Sequence, residues 1–522
     1  MKSAQTGDQP GPLDSRLLMI TVACTLLPVM VTLDATVVNV AQRTFIVEFS
    51  STQAVVAWTM TAYTLALAAV IPLTGCVANR MGTKRLVLGS VLLFSLGSLL
   101  CALAPNITLL VAFRALQGLG GGMLMPLQLI ILARAAGPDR LSRVLTISIV
   151  PVLLAPICGP ILGGWLIDSF GWQWIFLINL PIGLLALVLA GSVLPRDVPL
   201  PAEPIDVIGM LVLSPGLVLF LYGVSLLPQR GKITDPHIWL PVAGGLTLVV
   251  AFVVHSRRRA DGALIDLRLL KHQQVAAANA IRFLFAITFF GSCLLFPAYF
   301  QEVLSKTPSQ SALLLLPQTL AAAAVMPTVG RLLEKHGPYG VVLMGTTLAV
   351  LGLGVFVYGM SRDQVNLPVL LAGLALFGVG SGCMITPVSW AAVHTLDSSE
   401  IAHGSTLFNV NHNIAASIGT ALMSVILTSR FDGKGRGAAV GPADSLAEDA
   451  VGQGLSPDPV TLSSQVQAPD LLAHVGNETS HAYTGVFVIA MIVLAATAIP
   501  ASFLPKRPAT RVDATPIEPS VA

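Results

Sequence analysis

Asp34 and Arg114 are the side chains of this sequence most able to do chemistry, because each places a charge inside a long apolar run. Asp34 sits in Leu-Asp-Ala-Thr-Val-Val-Asn-Val and Arg114 in Leu-Val-Ala-Phe-Arg-Ala-Leu-Gln-Gly. A charged, unpaired group at membrane depth costs several kcal/mol, so each is a functional candidate by default. A carboxylate whose surroundings alternate between dry and polar can take up and release a proton, as exchange of a proton for a substrate requires. The competing reading of Asp34 is a carboxylate near a helix mouth that only hydrates a helix end. An arginine cannot discharge and needs a carboxylate, carbonyls or water around it. Arg114 therefore either ties neighbouring carbonyls or takes part in proton coupling. Gln117 and Gly118 lie one turn further on, on the same helical face.

Three further constellations stand out. Gly75-Cys-Val-Ala-Asn79-Arg80-Met-Gly82, followed by Lys84 and Arg85, combines a tight-turn glycine with three basic residues. It serves either as a retention signal for one membrane face or as a gate that locks two helices in one conformation. Gly159, Pro160, Gly163 and Gly164 put small residues on one helix face beside prolines that remove backbone donors, a pattern for close packing with a bend. Asn411-His412-Asn413 offers a histidine that can titrate near neutral pH or sit neutral in a hydrogen bond. Arg282, near the end of another apolar run, is expected to snorkel to the membrane interface.

The elements that position these residues are membrane spans. The 522 residues are 54% hydrophobic and only 11% charged, with a mean hydropathy of +0.80, whereas soluble chains carry about 25% charged residues. A spanning helix needs roughly 20 apolar residues. Fourteen such segments are predicted, at 17–40, 54–76, 86–104, 108–132, 143–166, 174–194, 206–227, 237–254, 276–300, 310–330, 340–359, 367–391, 405–428 and 484–504. Most of the 29 basic residues, including Arg257-Arg258-Arg259, then fall on one side together with both chain ends, which the positive-inside rule assigns to the cytoplasm. A net charge of +3 with scattered basic residues excludes nucleic acid as a partner. The six cysteines, without Cys-x-x-Cys spacing, read as free thiols.

An internal repeat is visible. Gly75 to Gly82 has a counterpart in Gly330 to Gly337, and Gly118, Gly120, Gly122 and Pro126 have counterparts in Gly378, Gly380, Gly382 and Pro387. Two six-helix units that hold a substrate near the midplane are a common plan for secondary transporters.

In these motifs the sequence resembles the major facilitator superfamily, in its fourteen-span drug:proton antiporter branch of the EmrB/QacA type. The resemblance runs from about Leu33 to the last span, through the Asp34 segment, Trp58 to Leu65, the Gly75 to Arg85 loop, Arg114 to Gly118, Gly159 to Gly164 and Trp172 to Gly183. It implies an all-α polytopic membrane protein, with a cytoplasmic tail (1–16), an N-terminal six-helix bundle (17–194), two additional helices (206–254), a C-terminal bundle (276–504) carrying a long extracytoplasmic loop (429–483), and a second cytoplasmic tail (505–522). It implies proton-coupled efflux of small hydrophobic drugs, mainly monocationic or neutral because only Asp34 offers a deep counter-charge. An endogenous lipid, siderophore or metabolite is the alternative cargo.

Asp34 and Arg114 would then couple protons, Asn39, Tyr63, Gln117, Asn411 and His412 would line the substrate path, and Gly75, Asn79, Arg80, Gly82, Lys84, Gly159, Pro160, Gly163 and Gly164 would gate it. Small-molecule drugs, protons and the bilayer are the implied partners, with an accessory envelope protein as a further one. The chain is expected to act as a monomer, in the cytoplasmic membrane, without cofactor, metal or enzymatic activity. Asp397, Glu400 and His403, which come nearest to a catalytic cluster, read as a solvated loop. Two departures bear on mechanism: the family's loop acid is Asn79 here, and the usual Trp-Arg-Trp arginine is Gln173.

Overall fold

A computed structural model describes residues 14–195, 206–230, 235–259, 264–304, 306, 308–360, 366–397, 400–432 and 469–506. Most of the expected N-terminal tail, all but the first residues of the C-terminal tail, and most of the 429–483 loop lie outside the described residues. Regular structure among the described residues is entirely helical. The long helices are α1 (Ser15–Val40), α2 (Gln53–Val70), α3 (Thr83–Ala102), α4 (Ile107–Gly121), α5 (Leu124–Phe170), α6 (Asn179–Val193), α7 (Val207–Arg230), α8 (Pro236–Arg258), α9 (Gln273–Glu302), α10 (Leu316–Met360), α11 (Leu367–Val393), α12 (Glu400–Asp432) and α13 (Pro469–Ala495).

These segments are helical because a lipid-facing chain must satisfy its backbone polar groups internally. Short polar residues punctuate them. Thr52 accepts from Val55 N and Asn106 from Leu109 N, capping α2 and α4. Large apolar side chains such as Leu92, Leu184, Leu211 and Ile492 are exposed on the outside of the bundle, an arrangement that suits a lipid surface and not water.

Twelve helices among the described residues are long and apolar enough to cross a membrane, against the fourteen spans expected. The two expected spans outside that set, 143–166 and 310–330, fall in the longest helices. At 1.5 Å per residue, the 47 residues of α5 would extend about 70 Å, more than twice a hydrocarbon core of roughly 30 Å. Gly137 interrupts α5 with a φ of 64°, and Gly337 interrupts α10 with a φ of 74°. Residues 143–166 lie in α5 beyond its break. Residues 310–330 are divided near Leu315 between a short helix, Pro308–Leu314, and the start of α10.

Two packed sets of helices follow among the described residues. In one, α1 packs on α5 and α6 while α4 packs on α2 and α3; in the other, α9 packs on α11, α12 and α13 while α10 packs on α11 and α13. The glycine repeat has a structural cause. A Cβ on Gly118 would stand 2.5 Å from Tyr63 O and one on Gly120 2.5 Å from Phe94 N, so α4 meets α2 and α3 backbone to backbone. Gly378 meets Gln318 and Gly380 meets Ala349 in the same way, which sets α11 against the two parts of α10. Gly82 and Gly337, the closing glycines of the other repeated motif, both have positive φ, at 92° and 74°.

The additional helices α7 and α8 pair with each other, and α7 lies against α2 and α12, one helix from each bundle. Asp206 holds the foot of this pair. It is fully buried, accepts from Gly209 N at 2.9 Å and Leu264 N at 3.1 Å, and lies 2.8 Å from His255 Nε2 and 3.3 Å from Arg259 Nη1.

Candidate transport site

Five helical segments of the first bundle converge on Asp34. From α4, Arg114 Nη1 donates to Asp34 Oδ2 at 2.6 Å, and Gln117 Nε2 donates to Oδ1 at 2.8 Å. From α6, Asn179 Nδ2 donates to the same Oδ1 at 2.8 Å. Ser98 of α3 accepts from both amides, at 3.2 and 3.0 Å, and donates to Phe176 O at 2.9 Å. Arg114 is further held by Thr59 O at 3.1 Å, Gln117 Oε1 at 2.7 Å and the face of the Tyr63 ring, 4.0 Å from its guanidinium carbon. Asp34 is 1% exposed and Arg114 0%. Each charge has a buried counter-charge, and both Asp34 oxygens are hydrogen-bonded, while Arg114 Nη2 is buried without a hydrogen-bond partner. Arg114 thus ties the Thr59 carbonyl, as the structural reading expected, and also pairs with the carboxylate.

A cavity of about 1030 Å³ lies between the bundles, lined by α1, α5, α9, α10, α11 and α12. Thr32, Ala35, Thr36 and Asn39 of α1 face it, as does His412 of α12. Tyr63, Gln117 and Asn411, expected on the same path, are not among its lining residues. Tyr63 and Gln117 pack around the Asp34 pair, and Asn411 Nδ2 donates to Asn279 O at 2.7 Å. Asp34 lies behind the wall with its oxygens engaged, so the counter-charge invoked for a monocationic cargo does not face the cavity. Arg282 also departs from its expected place at the interface. It lines the cavity, nine residues into α9, with its guanidinium carbon 5.1 Å from the Phe408 ring centroid, and does not snorkel to an interface.

The small-residue face of α5 meets α1 beside the cavity. A Cβ on Gly159 would overlap Thr36, and one on Gly163 would stand 3.1 Å from Val37 Cγ1, while Gly164 has nothing within 4 Å. Pro160 lies within the helix, with its side chain outside the described residues. The loop motif lies where the bundles touch at their basic end. A Cβ on Gly75 would meet Ala402 O at 2.8 Å, and its repeat partner Gly330 faces Thr146 at 3.0 Å, so each bundle presents one glycine to the other. Ser405 Oγ donates to Pro126 O at 3.0 Å across the same seam. Asn79 Oδ1 accepts from Arg134 Nη2 at 2.8 Å, and Lys84 Nζ caps α6 through Gly191 O at 2.6 Å and Leu194 O at 3.0 Å. Arg80 is exposed in the last turn of the Thr74–Met81 helix.

Sequence reasoning missed Asn179, Ser98 and Asp206. Asn179 carried a usable signal, being the one amide in the apolar Ile-Phe-Leu-Ile-Asn-Leu-Pro run. Glu400 accepts from Asp397 N at 3.2 Å and His403 Nδ1 lies 3.3 Å from Leu264 O, so these three residues cap and tie a loop.

Residues 24–420 match the family model of the Major Facilitator Superfamily. The chain belongs to the major facilitator superfamily. It is a multi-pass membrane transporter and not an enzyme. Among curated proteins it is 51% identical over 501 residues to a multidrug resistance protein B homolog of Mycobacterium tuberculosis, covering 96% of this chain and 92% of that one. It is 29% identical to the multidrug export protein EmrB of Escherichia coli, covering 81% and 82%. Among solved superfamily structures, the proton:xylose symporter XylE aligns with a TM-score of 0.56 at 14% identity over 92% of this chain and 95% of that one, a likeness of fold alone.

Proposed function

We propose that the protein exports small hydrophobic molecules in exchange for protons by alternating access, with Asp34 as the proton-carrying group. The observation that carries this reading is the position of α1. One face of α1 holds Asp34 in the pair with Arg114, and the next holds Thr32, Thr36 and Asn39 at the cavity. Proton and cargo thus act on the same helix. Protonating Asp34 removes the charge that holds Arg114, Gln117 and Asn179 around it, and a shift of α1 is transmitted to α5 through the Thr36–Gly159 contact. One charge crossing is worth about 2.3 kcal/mol per 100 mV, a roughly fifty-fold gradient.

The multidrug names of the relatives support drug efflux, and the apolar, aromatic cavity suits lipophilic cargo. The basic end, where Gly75, Gly330 and Ser405 close the seam, is assigned to the cytoplasm of the inner membrane together with both termini. Proteoliposomes of the purified protein, loaded with a lipophilic fluorescent drug and given an imposed pH gradient, test this reading. Gradient-dependent movement that an uncoupler abolishes is expected, and movement indifferent to the gradient would leave a facilitator in place of an antiporter.

A further inference from the structure

The cavity contains one permanently charged side chain among its described lining residues, and that charge is positive. Arg282 lines it from α9, and no aspartate or glutamate does. Unlike Arg114, which is matched by Asp34, Arg282 has no carboxylate partner among the described residues, and its Nε is buried without a hydrogen-bond partner. What it has is the Phe408 ring at 5.1 Å, a contact weaker than a hydrogen-bonded ion pair. His412 lies on the same wall with its buried Nδ1 also unpartnered and its ring 5.2 Å from Phe290. An arginine cannot shed its proton, and an ionisable side chain that lines a cavity inside a membrane bundle without a carboxylate partner marks what moves along it.

We propose that Arg282 is an anion-binding subsite of the cavity, taking the carboxylate or phenolate of a lipophilic monoanion while Phe285, Phe289 and Phe290 hold its apolar body. The proposal rests on the cavity being the cargo site of the efflux reading. It reverses the charge preference that Asp34 suggested from sequence. Asp34 is neutralised behind the wall, so a monocation entering the cavity meets Arg282 with no acid to compensate it. The bidentate fork of a guanidinium matches a planar carboxylate, and the unpartnered Nδ1 of His412 on the same wall can hydrogen-bond the same anion. Charge balance follows. A proton entering as a monoanion leaves moves two charges in the same sense, whereas a proton exchanged for a neutral molecule moves one and for a monocation none. An inside-negative potential therefore drives export of the anion most strongly.

Equilibrium binding to the purified full-length protein tests the subsite without any gradient. The probes are a fluorescent aryl-alkyl carboxylic acid, its primary amide and the primary amine of the same skeleton, at a pH where the acid is ionised. The acid is expected to bind at least about tenfold more tightly than the amine, with the amide between them. In Arg282→Gln the acid-to-amide affinity ratio should fall toward unity, and in Arg282→Lys, which keeps the charge and loses the fork, it should fall part of the way. An amine that binds as well as the acid to the wild-type protein overturns the proposal, as does an acid-to-amide ratio unchanged in the folded variants. If Arg282→Gln does not fold, the wild-type comparison and Arg282→Lys decide it. Absence of gradient-driven transport with the acid preference intact would overturn the efflux reading and leave the anion subsite standing.

Discussion

Arg114 Nη1 stands 2.6 Å from Asp34 Oδ2, and neither side chain reaches the cavity that Thr36, two residues further along the same helix, lines. A proton bound at Asp34 and a molecule bound in the cavity are therefore separated by the thickness of α1. In the proposed antiport their coupling would be mechanical, through the packing of one helix, and not a competition for one site.

The pair gives the first prediction. Asp34→Asn removes the titrating group and leaves Arg114 charged and buried, so gradient-driven transport should be lost and the fold should be destabilised by about 3–5 kcal/mol. Asp34→Asn combined with Arg114→Gln should restore thermal stability without restoring transport. Thermal unfolding in detergent beside proteoliposome flux separates the two effects. A single mutant that transports at the wild-type rate would remove Asp34 from the coupling mechanism.

How much of this was legible in the sequence depends on whether the signal is local. Asp34 and Arg114 stood out because a charge in an apolar run is conspicuous wherever it points. Their pairing across 80 positions was not readable, because the angular placement of two helices is set by tertiary packing. Ser98 is silent in sequence, since a serine in a span usually returns its hydroxyl to its own helix, as Thr21 does to Leu17 O. Arg282 was misplaced by counting from an apolar edge at 276. The helix begins at Gln273, which sets Arg282 about 13 Å along its axis. The glycine repeat was readable because backbone-to-backbone contact admits almost no other residue at Gly118, Gly120, Gly378 and Gly380.

Close packing of α5 on α1 predicts a sharp contrast between neighbouring glycines. Gly159→Leu should abolish transport, since even a Cβ overlaps Thr36, while Gly164→Ala, with nothing within 4 Å, should transport at close to the wild-type rate. Flux normalised to inserted protein is the measurement. Equal rates in the two variants would mean that the α1–α5 contact opens without effect on transport.

Asp206 predicts an acid dependence of stability. Burial by itself raises the carboxyl pKa, but hydrogen bonds from Gly209 N, His255 and Leu264 N outweigh it and hold the pKa below the ordinary 3.8. A carboxyl depressed in the folded state adds stability that is fully present above its unfolded pKa and is lost as pH falls through the folded value. Asp206→Asn should therefore unfold at a lower temperature at neutral pH and show a shallower loss of Tm on acidification below about pH 4 than the wild type. Parallel acid limbs in the two proteins would mean that this cluster does not titrate with unfolding.

The last prediction concerns the loop position where the family carries an acid and this chain carries Asn79. Asn79 Oδ1 takes a neutral-acceptor hydrogen bond from Arg134 Nη2 at 2.8 Å, which joins the Thr74–Met81 helix to α5 at the basic end. Asn79 is buried, so water competes weakly for this contact. Asn79→Asp keeps the shape and makes the bond charge-assisted, roughly twice as strong. The added strength acts only in the conformation in which Arg134 reaches residue 79, where the basic ends of the bundles are also packed through Gly75, Gly330 and Ser405. Asn79→Asp should therefore raise the population closed at the basic end and slow the step that opens it. Turnover is expected to fall several-fold, with the equilibrium affinity of the opposite-facing cavity little changed. A thiol reagent that does not cross the membrane, applied from the basic side to a cysteine placed at Leu129 in a background freed of native cysteines, should react more slowly when residue 79 is aspartate. Equal labelling would show that the Asn79–Arg134 bond persists in both conformations, and faster labelling that it does not favour the closed one; either removes it from the proposed gate.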